Sequence, residues 1–180
     1  MAELRLEIGQ GRPFSSAAEE AMLNLMRTAD CLHRGLQRKT RAWGVTSTQY
    51  NVLRILRGAQ TLGLTCSAIG TRMITAEPDI TRLLARLKAL KLIRQQRDKR
   101  DRRVVWTQIS ATGLSLLAEM DPLVQQFPVE MLGHLDEEDL ARLIRLLESA
   151  RKNCQDTQAP VSCNGDRTGE GQGCEANGID

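Results

Sequence analysis

The sequence predicts a mainly α-helical chain carrying one small β-hairpin, and three observations carry that prediction. Apolar residues recur at spacings of three and four in several segments, the mark of helices with one buried face. Only 3% of residues are aromatic while Leu, Ala, Arg, Ile and Met abound, a balance that suits helices packed through aliphatic side chains. The period changes once, between residues 92 and 109, where β-branched residues flank a dense run of charge. With 180 residues, 41% of them hydrophobic, the chain can bury one sizeable core, so a single domain with tails is expected.

Residues 1–14 mix Gly9, Gly11 and Pro13 with charges and show no period, which predicts a flexible N-terminal arm; the domain proper is expected over residues 15–152. From Ser16 to about Arg41 the residues Met22, Leu25, Met26, Ala29, Leu32 and Leu36 form one face of a long helix that Gly44 ends. Ser47 to Arg57 continues as a shorter amphipathic helix through Tyr50, Leu53, Ile55 and Leu56. Gly58 and Gly63 then break the chain before Thr65, which is positioned to N-cap a short helix holding Ala68, Ile69 and Met73. Pro78 suits the first turn of the next helix, whose apolar set to about Lys91 is Ile80, Leu83, Leu84, Leu87 and Leu90. Two short helices joined by a turn, the second the more regular and the more basic, make a helix-turn-helix pattern.

Leu92 to Arg94 and Val104 to Ile109 read as strands of a hairpin whose tip is the run Asp98 to Arg103. Helix resumes after Ser110 through Leu114, Leu117 and Met120 to Pro122, and onwards past Pro128. The last helix takes Asp136 as its N-cap, with Glu137, Glu138 and Asp139 in its first turn and Arg151 and Lys152 at its end, charges that match the helix dipole at both ends. Residues 153–180 hold five glycines and few large apolar residues, and are expected to be a disordered acidic tail.

Charge divides unevenly along this plan. Between Val45 and Ser110 there are thirteen Lys and Arg against four Asp and Glu, whereas residues 111–152 and 153–180 each carry a net charge of −4. A basic middle between acidic ends is the footprint of a module that binds a polyanion. No run approaches the roughly 18 apolar residues a membrane helix needs, so a soluble, cytoplasmic protein is expected. Five cysteines without a C-x-x-C pair speak against a zinc site or a disulfide framework, and no cofactor or metal is expected. H-E-x-x-H, G-x-S-x-G and phosphate-loop patterns are all missing, which argues against an enzyme.

On the helix from Pro78 to Lys91, Ile80, Leu83, Leu84 and Leu87 share one side, leaving Arg82, Ala85 and Ala89 on the other with Thr81 and Arg86 at the shoulders. A major groove about 12 Å wide admits such a slim face, and Arg near the helix N-terminus suits guanine O6 and N7. Thr81 and Arg82 are therefore expected at base edges and Arg86 at phosphate. In the hairpin tip Lys99, Arg100, Arg102 and Arg103 crowd together, with Asp101 able to hold one arginine; such a basic fork suits the negative potential of a minor groove.

The stretches "PDITRLLARLKALKLI" and "RDKRDRRVVWTQISATG" resemble the recognition helix and wing of the MarR family of winged helix-turn-helix regulators, with weaker similarity through "GVTSTQYNVLRIL" and "LDEEDLARLIRLLESA". The resemblance implies a winged helix-turn-helix over about residues 45–110, with Arg103 entering the minor groove and Asp101 orienting it. It further implies that residues 16–41 and 113–152 form a dimerisation region, so that a homodimer reads double-stranded DNA at an imperfect palindrome. It also implies a repressor released by a small phenolic or aromatic effector held between the dimerisation helices and the DNA-binding lobe, where Met22, Met26, Trp43 and Tyr50 are candidate lining. Two rival readings share the fold: a thiol-based redox sensor using Cys31 or Cys66, and a dimeric interaction module that has lost DNA binding. In redox-sensing members the reactive cysteine aligns nearer Met22 than Cys31, which counts against carrying that role over.

Overall fold

The computed structural model describes residues 3–59 and 63–154 as seven helices and a two-stranded sheet. Most of the acidic tail expected over 153–180 lies outside the described residues. Each helix of the domain begins where a short polar side chain can accept a backbone N–H left over at the helix start. Helix α2, Ala17–Arg41, starts at Ser16, which accepts from Glu19 N at 3.1 Å, while the Glu19 carboxylate takes the Ser15 N–H and hydroxyl at 2.6 and 2.7 Å. Helix α3, Ser47–Gly58, starts with a reciprocal capping box between Thr46 and Gln49. Thr65 caps α4, Cys66–Gly70, and Asp136 caps α7, Glu137–Lys152, as the sequence predicts.

Three expectations are corrected. Residues 3–7, assigned to a loose arm, form helix α1, Glu3–Glu7, and bury Leu4; a single turn is too short to display a period. Pro78 is not in the first turn of the basic helix. That helix, α5, runs Ile80–Ala89 from an Asp79 cap, because the Asp79 carboxylate accepts Arg82 N at 2.8 Å and leaves Pro78 outside. Leu90, assigned to the apolar face, caps the C-terminus and is exposed. Behind it Lys91 adopts φ +60°, Lys91 N donates to Lys88 O and Leu92 N to Leu87 O at 2.9 and 3.0 Å. This is a Schellman end with lysine where glycine is usual, and it turns the chain straight into the sheet.

Strands β1, Ile93–Arg97, and β2, Val105–Ile109, pair antiparallel from Ile93↔Ile109 to Arg97↔Val105. Leu64 adds one bridge on the outer side of β2, exchanging backbone hydrogen bonds with Thr107 at 2.8 and 2.9 Å. Ser110 joins the hairpin to helix α6, Ala111–Leu132: its hydroxyl donates to Lys91 O at 2.7 Å and accepts Gly113 N at 3.0 Å. Both Pro122 and Pro128 lie within this one helix.

The core is aliphatic. Val52, Leu53, Leu56, Ile69, Leu84, Leu87, Leu117 and Met120 are essentially buried and tie α3, α4, α5 and α6 together. Helix α2 crosses α6 at Gly35, where an added Cβ would lie 2.8 Å from the Phe127 ring, and Lys39 pairs with Glu130 beside it at 2.8 Å. By contrast α7 buries no residue within the chain although it is amphipathic. No helix among the described residues is long and apolar enough to cross a membrane.

Candidate nucleic-acid interface

Helix α5 presents its polar face because its apolar face is fully used. Ile80, Leu83, Leu84 and Leu87 are buried, which leaves Thr81, Arg82, Ala85, Arg86 and Lys88 exposed. The Asp79 cap fixes the first turn, in which Arg82 is the third residue. Ahead of it, the turn after α4 is held by the Asn51 carboxamide, which accepts Ile74 N at 3.3 Å. Arg72 in that turn is exposed too, a cation that the helix-based reading passed over.

Leu90 to Leu92 link α5 directly to the hairpin, and Leu92 and Ile93 are buried against the core. The tip closes through Asp98 N to Val104 O at 2.9 Å and Val104 N to Asp101 O at 3.0 Å. Lys99, Arg100, Arg102 and Arg103 are exposed there, and among the described residues none of them is in an ion pair. Asp101 does act on Arg103, but through the backbone: its Oδ1 accepts Arg103 N at 2.9 Å, leaving the guanidinium unpaired.

Sequence reasoning missed Asp98. Its carboxylate accepts the Trp106 indole N–H at 2.9 Å and the backbone N–H groups of Arg100 and Asp101 at 2.7 and 3.1 Å. The indole first, then the two amides, hold this acid below the usual carboxylate range. An Asp two residues ahead of a turn N–H is a recognisable signal; a cross-strand indole partner has no local signature.

Among the residues considered for an effector, Tyr50 is buried and Trp43 is partly buried against the core, while Met22 and Met26 lie exposed on α2. Two clefts lie among the described residues, and none of these four lines either of them. One, about 350 Å³, is lined by Gln37, Thr46, Thr48, Gln49, Glu77, Asp79, Arg82, Leu83 and Arg86. The other, about 500 Å³, lies along the hairpin beside Trp106. Cys31 is exposed on α2 and Cys66 is partly buried at the start of α4.

A capped basic helix followed by a basic hairpin on one aliphatic core defines a winged helix-turn-helix protein. Residues 43–104 match the model of the MarR family. The MarR transcription factor from Planctomyces limnophilus is 37% identical, with 76% of this chain and 98% of that one covered and a TM-score of 0.59. Transcriptional regulator HosA of Escherichia coli O157:H7 is 27% identical over 124 residues, 64% of this chain and 88% of the relative. BpsR of Bordetella bronchiseptica, whose DNA binding is regulated by 6-hydroxynicotinic acid, shares the fold at 24% identity and a TM-score of 0.67, over 77% of this chain and 97% of that one. The chain belongs to the MarR family of transcriptional regulators.

Proposed function

We propose that this MarR-family regulator binds an imperfectly palindromic double-stranded DNA as a homodimer and represses until a small aromatic effector releases it. The observation that carries the reading is the set of exposed cations, without an ion pair among the described residues, on two adjoining elements, α5 and the hairpin tip. Thr81 and Arg82 meet base edges in the major groove and Arg86 a phosphate, while Lys99, Arg100, Arg102 and Arg103 follow the backbone and the adjacent minor groove. Counterion release by such cations supplies affinity and makes it salt-dependent.

Self-association is supported by apolar surface that the single chain leaves uncovered: Leu6, Met22, Leu25, Met26, Val129, Ile144 and Leu146 are exposed, and α7 has no buried residue. A twofold pair formed through α2, α6 and α7 would set two α5 helices against half-sites about one helical turn apart.

The cleft between the end of α2, the start of α3 and α5 suits the effector, since it is bounded by both Arg82 and Arg86. A planar aromatic acid bound there would pair with guanidiniums otherwise free for DNA, so binding of the two would be mutually exclusive. BpsR, regulated by a hydroxylated aromatic acid, is a precedent for that ligand chemistry. Titrating hydroxybenzoates and hydroxynicotinates into the protein–DNA complex tests it: release by an aromatic acid supports the reading, and indifference to the whole panel refutes the effector class.

A further inference from the structure

Asp98 sits in sequence between Arg97 and the cations Lys99 and Arg100, yet among the described residues it pairs with no cation. Its oxygens are taken by three neutral N–H groups, one of them reaching across the hairpin from Trp106. Trp106 lies opposite Gln96 in the register, so Asp98 is its diagonal neighbour, within the span of an aromatic side chain.

We propose that Asp98 and Trp106 form a latch that holds the hairpin tip in the conformation presenting Lys99, Arg100, Arg102 and Arg103 to DNA. Both are then positioning residues for nucleic-acid binding, an inference that rests on the reading of the wing as a DNA-contacting element. Four like charges within five residues repel one another, and a loop so charged explores many conformations unless tied. An aspartate paired to an arginine would tie the loop but consume a cation. Neutral donors tie it and leave every cation free for phosphate. The tie is relayed onward, because Asp101 gives its backbone N–H to Asp98 and uses its own carboxylate to fix Arg103 N. The three N–H donors favour the ionised carboxyl of Asp98 and hold it below the usual carboxylate range, in keeping with a carboxylate charged throughout the neutral range.

The test compares the full chain with Trp106→Phe, Asp98→Asn and Arg103→Ala on DNA from around its own gene and on scrambled duplex, by fluorescence anisotropy over a salt series. Circular dichroism verifies folding, and the indole N–H resonance of Trp106 reports the latch. Trp106→Phe keeps an aromatic ring on the hairpin and removes the donor, together with part of the indole's bulk. It is expected to weaken binding roughly threefold to tenfold on both duplexes alike, less than the full value of one charge-assisted hydrogen bond because the two backbone N–H groups still tie Asp98. Removing a negative charge beside a polyanion would by itself tighten binding, so the sign for Asp98→Asn is diagnostic: the latch requires weakening, with the indole resonance moving to that of an unbonded indole. Tighter or unchanged binding by Asp98→Asn, or unchanged binding by Trp106→Phe, while Arg103→Ala weakens, overturns the latch and leaves the wing reading standing. Unchanged binding by all three variants overturns the wing reading and the latch together.

Discussion

The carboxylate of Asp79 accepts the backbone N–H of Arg82 at 2.8 Å, so the residue that starts the helix fixes the backbone carrying the side chain proposed to meet base edges. A cap of this kind is worth about 1 kcal/mol. Asp79→Ala is expected to lower unfolding stability by about that amount in urea titration, with the slope unchanged, and to weaken DNA binding, although loss of an acid beside a polyanion would by itself tighten it. Asp79→Asn, which keeps the accepting oxygen, should restore most of the stability.

Lys91 offers a prediction of the opposite sign. A lysine at φ +60° bears a steric cost of about 1–2 kcal/mol that glycine avoids, against an entropic cost of about 0.5–1 kcal/mol for glycine in the unfolded chain. Lys91→Gly should therefore leave stability unchanged or raise it by up to about 1.5 kcal/mol. Marked destabilisation would mean that the Schellman turn is not what ends α5.

Arg57 of α3 grips Asp121 of α6 with both terminal guanidinium nitrogens, and the Tyr50 hydroxyl reaches the same carboxylate at 3.5 Å. The Arg57 side chain is 37% exposed and that of Asp121 20%, so solvent screening keeps the pair below the value of a fully buried one. Asp121→Ala should cost roughly 1–2 kcal/mol, and a double-mutant cycle with Arg57→Ala should return a coupling of about 1 kcal/mol. A cycle that closes at zero would show that the two helices are held by apolar packing alone.

Tyr50 supplies a pH dependence. Burial raises its phenol above the ordinary value, opposed by Arg54 and Arg57 and reinforced by Asp121. The folded state thus holds the phenolic proton more tightly than the unfolded chain does. This contribution to stability is complete below the ordinary tyrosine value and is lost as pH rises through the higher folded one. Because the chain contains one tyrosine, phenolate absorbance reads that group directly. Its midpoint should lie above that of free tyrosine in native protein and return to it in denaturant.

What could be read from sequence followed the reach of each signal. The face of Ile80, Leu83, Leu84 and Leu87 is written in periodicity, and all four are buried. Thr65 and Asp136 were legible as caps because the rule is local. Asp79 was passed over because Pro78 beside it also satisfies a start rule, and only the Arg82 hydrogen bond decides between them. The Leu64 bridge to Thr107, the Schellman turn at Lys91 and the Asp98–Trp106 contact depend on where distant backbone arrives, which no periodic pattern encodes. The exposure of Thr81, Arg82 and Arg86 follows from the same buried face; the lining of an effector site does not, since Gln37, Thr46 and Arg86 converge only once α2, α3 and α5 have packed.

The most direct test of the central claim is fluorescence anisotropy of the parent, Arg82→Ala and Arg103→Ala on DNA from around the protein's own gene and on scrambled duplex across a salt series. The parent should bind its own DNA more tightly, with affinity falling steeply as salt rises. Arg82→Ala should lose about 1–3 kcal/mol and most of the preference between duplexes, whereas Arg103→Ala should weaken both duplexes alike and reduce the salt slope by about one. Equal, salt-insensitive binding by all three proteins, or no binding by the parent, would contradict the account.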